Sequence, residues 1–93
     1  MERIFFKTIN TIGNNAIEIE TVQNKCIYIY NLSIIYENGR YYIDPYDIEM
    51  VDQYEFVANG SISETKDGLT NYRNVTIYKY LLLQQGILGF IEY

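Results

Sequence analysis

Asn38-Gly39 sits between two strand-like runs, Ser33-Ile34-Ile35-Tyr36-Glu37 and Arg40-Tyr41-Tyr42-Ile43-Asp44. Both central residues of a two-residue type I′ turn need φ > 0, which Asn and Gly tolerate, so the dipeptide predicts a hairpin. Such a turn also fixes register. Glu37 then faces Arg40, Tyr36 faces Tyr41, Ile35 faces Tyr42 and Ile34 faces Ile43. This pairing places Ile34, Tyr36, Tyr41 and Ile43 on one apolar face and the Glu37–Arg40 charge pair on the other.

Further turn signals stand at Gly13-Asn14, Asn59-Gly60, Asp67-Gly68 and Gln85-Gly86. Between them, Arg3 to Ile9 reads as a strand, and Ile17 and Ile19 alternate with Glu18 and Glu20 as in a half-exposed strand. Cys26 to Tyr30 is apolar at both parities and predicts a central strand covered on both faces. Asn74 to Leu83 and Ile87 to Tyr93 read as the last two strands, with a helix over Tyr78 to Gln85 as the competing assignment. Asp44 to Ala58 is ambiguous. Pro45 could open a helix, but the even positions from Tyr46 to Ala58 are apolar except Asp52, which favours a strand with a bend near Asp52.

The prediction is therefore an all-β single domain over residues 1–93, a small antiparallel meander that closes into a barrel or sandwich. An α+β fold with one short helix is its variant. Composition agrees: Ala16 and Ala58 are the only alanines, whereas β-branched and aromatic residues abound. A chain of 93 residues has room for one core.

Composition also excludes chemistry. The chain has no histidine and one cysteine, which removes imidazole-based triads and zinc sites of the Cys/His type. Its glycines are isolated, so no phosphate-cradling loop is encoded. Carboxylate-only catalysis needs no sequence spacing, but nothing singles out a pair among the 12 acids. The expectation is a non-enzyme with no catalytic residues, metal or cofactor. Cys26, flanked by apolar residues, is read as a buried filler.

The net charge of −5 opposes nucleic-acid binding, and the seven basic residues form no run. The apolar stretch from Tyr80 to Phe90 is interrupted and too short to span a bilayer. Met1 to Lys7 does not read as a secretory leader, and a lone cysteine suits a reducing compartment, so a cytoplasmic location is expected.

Two features point to binding. The 11 tyrosines include two clusters with arginine, Arg40-Tyr41-Tyr42 and Asn71-Tyr72-Arg73-Asn74. Exposed tyrosine and arginine anchor many interfaces, so Arg40, Tyr42, Asn71, Tyr72 and Arg73 are the candidate contacts. The competing reading is ordinary strand packing. Asp44, Asp47, Glu49, Asp52 and Glu55 form an acid-rich segment: a negative surface for a basic partner, a weak oxygen-ligand site, or simply a solvated strand face.

The composition, heavy in Ile, Asn, Lys and Tyr, looks like that of an AT-rich bacterial or mobile-element genome. In kind, such a domain is similar to phage-encoded inhibitors that block a host protein, which would place it in the host cytosol. The alternative function is sequestration of a small, nucleotide-like ligand between subunits of a homo-oligomer. Ile87 to Ile91 is the apolar segment that could pair with a second copy.

Overall fold

The computed structural model describes residues 2–41 and 53–93. Seven strands form: β1 (Arg3–Thr11), β2 (Ile17–Thr21), β3 (Cys26–Glu37), β4 (Arg40–Tyr41), β5 (Tyr54–Lys66), β6 (Leu69–Gln84) and β7 (Ile87–Glu92). The described residues contain no α-helix, so Tyr78 to Gln85 is strand and turn rather than helix. The sheet order β2-β1-β7-β6-β5-β3-β4 carries an additional β2–β3 pairing. That pairing closes six antiparallel strands into a barrel and leaves the short β4 attached to β3. Closure removes sheet edges, as a meander of this length requires.

The predicted turn and its first two pairs form as read, while the expected Ile35–Tyr42 and Ile34–Ile43 pairs involve Tyr42 and Ile43, which lie outside the described residues. Asn38 and Gly39 have φ of 36° and 95°, and Tyr36 pairs with Tyr41 and Glu37 with Arg40. Asp67-Gly68 and Gln85-Gly86 also turn with both residues at positive φ. Asn59-Gly60 does not turn. It lies inside β5, paired with Thr76 and Val75, and a Cβ at Gly60 would come within 2.6 Å of Ile29 Cγ2. Glycine is needed there for close packing across the barrel, not for a bend.

The barrel interior is filled by Phe6, Ile17, Ile19, Ile29, Ala58, Ile62, Val75, Ile77 and Ile91. Alternation explains the selection: Ile17 and Ile19 point inward, whereas Glu18 and Glu20 remain partly exposed. At the end of β2, the buried Thr21 hydroxyl accepts the backbone N–H groups of Gln23 and Lys25 at 3.3 and 3.1 Å. This side-chain turn, with Asn24 at positive φ, carries the chain into β3.

β3 serves two neighbours. Cys26 to Ile29 pair with β2, and Tyr30 onward pairs with β5. The register shifts beside Asn31, which has φ of 55°, and the N–H of Leu32 bonds instead to the carbonyl of Asn15. A second shift lies between Ile34 and Tyr36. It buries Ile35 beside Tyr36 in a second cluster, separate from the barrel interior, and leaves Ile34 exposed, so the expected Ile34–Tyr36 face is broken by a bulge. β3 is also not covered on both faces: Ile29 is buried, but Cys26, Tyr28 and Tyr30 are exposed. Cys26 is thus a surface thiol rather than a core filler.

A second core covers the outside of one wall. Phe5, Phe90, Tyr78, Val57 and Tyr36 occupy successive outward positions across β1, β7, β6, β5 and β3. Tyr78 stacks on Phe90 at 4.6 Å, Tyr54 stacks on Tyr80 at 5.9 Å, and the Arg3 guanidinium lies 4.7 Å above Phe90. Much of the tyrosine richness is therefore structural. β7 lies between β1 and β6, with Gly89 to Glu92 hydrogen-bonded on both sides. No backbone edge remains on those residues for the strand-to-strand dimer contact expected from Ile87 to Ile91.

Candidate functional site

A filled interior leaves the outer wall for recognition. β5 and β6 pair continuously from Phe56↔Lys79 to Lys66↔Leu69, well past the core. The inward-facing positions are Ala58, Gly60 and Ile62 on β5 and Val75 and Ile77 on β6, all buried. The intervening positions therefore face outward: Asn59 opposite Thr76, Ser61 opposite Asn74, and Ser63 opposite Tyr72. They make a ladder of amides and hydroxyls ending in an exposed phenol.

A groove of about 480 Å³ runs over Asn59, Ser61, Asn74 and Thr76, and Asn31, Glu92 and Tyr93 also line it. Thr76 Oγ1 donates to Asn59 Oδ1 at 3.2 Å, and Ser61 Oγ donates to Asn74 Oδ1 at 3.5 Å. Both carboxamide oxygens are thereby occupied, and neither Nδ2 has an intramolecular partner among the described residues. Glu92 Oε2 accepts Arg3 Nε at 2.9 Å, and this hydrogen bond pushes the Arg3 guanidinium above its ordinary pKa. Burial pushes the Tyr93 phenol up, with the Glu2 carboxylate adding to it and Arg73 opposing.

The candidate contacts divide. Asn71, Tyr72 and Arg73 are consecutive on β6, and the pleat sends Tyr72 to the ladder side with Asn74. Arg73 falls on the inward parity at the barrel mouth. Its guanidinium lies 4.1 Å above the Tyr93 ring and 3.7 Å from Glu64. Arg40 is in β4 opposite Glu37, whose row continues through Phe56 to Lys79. Lys79 is six residues from Arg73, about 20 Å along a strand. Within one chain the β-sheet register therefore places the backbone of Arg40 far from that of Arg73. Tyr42, Asp44, Asp47, Glu49 and Asp52 lie outside the described residues. Glu55, the remaining member of the acidic segment, has Oε2 at 3.1 Å from Lys79 Nζ. Among the described residues no group of three His, Cys, Asp or Glu side chains could hold a metal ion.

Sequence reasoning missed the groove, because Asn59-Gly60 reads as a turn. The usable signal was Asn74 beside Tyr72 in an otherwise strand-forming run. It also missed an apolar tip. From Lys79↔Gly89 to Gln84↔Ile87, β6 uses three more residues than β7, so Leu81, Leu82 and Leu83 are bulged out and exposed.

The chain matches no known protein family, curated protein or solved structure. No helix among the described residues is long and apolar enough to cross a membrane.

Proposed function

We propose that this is a non-catalytic binding protein that takes its ligand on the outward face of β5 and β6. The observation that carries this reading is the groove over Asn59, Ser61, Asn74 and Thr76, with unpartnered amide donors among its described lining. Asn is a poor strand former, yet Asn59 and Asn74 stand inside the two longest strands. Local rules are broken most often where function requires it. The nucleotide-like form of the ligand, expected between subunits, has less support at this groove, since Arg73 is engaged with Tyr93 and Glu64.

Placing a photoreactive residue at Tyr72, in extract of the cells that make the protein, tests the reading. A discrete adduct at position 72, absent when the same probe replaces the exposed Val22, is expected. Adducts at neither position, or equally at both, would reject it.

A second reading, a blocker of a host protein in the cytosol, is favoured by Leu81 to Leu83. Contiguous exposed apolar side chains commonly mark protein contacts. In that case the leucine tip, rather than the acidic segment, supplies the anchors.

A further inference from the structure

The geometry points to a neutral saccharide as the ligand of this groove, an inference that rests on the binding reading above. Hydrogen-bond polarity sets the class of ligand. With their oxygens accepting from Thr76 and Ser61, the Asn59 and Asn74 amides offer Nδ2 donors, while the two hydroxyls retain acceptor lone pairs. Glu92 holds Arg3 through Oε2 and keeps Oε1 as an acceptor. Donors and acceptors thus alternate over a few ångströms of wall. A sugar hydroxyl is both donor and acceptor, and adjacent hydroxyls on a ring match such a surface.

Charge narrows the class. The groove's lining includes one carboxylate and no cation, and the guanidinium nearest that carboxylate, Arg3, is already held by Glu92 Oε2, so the lining itself presents no cation to a phosphate, sulfate or carboxylate ligand. Nearby Arg73 is turned onto the Tyr93 ring and Glu64. Apolar ligands fare no better, because they would desolvate amides and hydroxyls without replacing their hydrogen bonds with water. The aromatic element is Tyr72, two residues from Asn74 on the same face and 69 % exposed. A free phenol ring at the end of a polar ladder offers an apolar surface for the C–H face of a pyranose while its hydroxyl stays in water.

The test is titration calorimetry of the full chain against glucose, galactose, mannose, N-acetylglucosamine and their neutral oligomers, beside phosphorylated and sulfated counterparts. The expected result is binding of at least one neutral saccharide, weakened about tenfold by Asn74→Ala and by Tyr72→Ala. Both variants should keep the wild-type circular dichroism. Binding confined to the charged sugars, or binding that both variants leave unchanged, would overturn the inference. If no sugar binds at saturating concentration but the probe at position 72 still gives a discrete adduct, the saccharide is wrong and the binding face stands. Loss of both removes the two together.

Discussion

Gly89 on β7 lies directly against Phe6 on β1: a Cβ at position 89 would stand 2.8 Å from Phe6 Cζ and 2.0 Å from the Tyr78 carbonyl oxygen. Phe6 is fully buried and Gly89 is paired on both sides, so neither wall can retreat. Gly89→Ala should therefore cost about 3 kcal/mol, the upper end of ordinary overpacking, because backbone rather than a side chain must move. Urea unfolding reads this as a lower midpoint with little change in slope.

Gly60→Ala should be milder. Its nearest obstacle, Ile29 Cγ2 at 2.6 Å, is a side-chain rather than a backbone atom and is farther off than the 2.0 Å carbonyl at Gly89. It moves only with the stiff χ1 or the backbone of the buried Ile29, but alanine also restricts the unfolded chain. A cost of about 1–2 kcal/mol is expected, clearly below that of Gly89→Ala in the same assay. Equal costs would mean that β3 and β5 are as rigidly opposed as β1 and β7.

Alkaline pH should weaken the outer aromatic core. Burial, the largest cause in each case, pushes the phenols of Tyr54 and Tyr78 above the ordinary tyrosine value of about 10. The folded state then holds these protons more tightly than the unfolded state. Their contribution is complete below pH ~10 and is lost as pH rises through the raised folded values. Unfolding midpoints measured across this range should fall, and less steeply for Tyr78→Phe.

The bulged leucines touch little of either core. Leu82 is 71 % exposed, so Leu82→Ser should change stability by less than about 0.5 kcal/mol. A thermal melt checks this, and a large loss would show that the tip is packed in solution.

Much of the fold was legible in the sequence because its turns are local. Asn38-Gly39, Asp67-Gly68 and Gln85-Gly86 carry their own φ requirements, and the first set its register without knowledge of the barrel. Asn59-Gly60 has the same two residue types and the opposite outcome. What decides it is Ile29, 31 positions before Gly60 in sequence, and no local pattern contains that contact. The register shifts beside Asn31 and between Ile34 and Tyr36 likewise depend on how β3 meets β5, and they leave Ile34 exposed and Ile35 buried with Tyr36 in the second core. The candidate site was half legible. Tyr72 stands out in the sequence for its place beside Arg73, but Asn59 and Asn74 become neighbours only through the Ser61↔Asn74 and Asn59↔Thr76 register.

If the outward face of β5 and β6 exists for binding, its asparagines cost stability that strand formers would restore. The direct measurement is the melting temperature of Asn59→Thr/Asn74→Thr. Both sites are exposed, and threonine is the better strand former by up to ~1 kcal/mol across the two substitutions. A rise of about 5 °C, with loss of the adduct at position 72, is the expected result. A fall in melting temperature would show that the carboxamides hold the strands together, and would contradict the assignment of this face to a ligand.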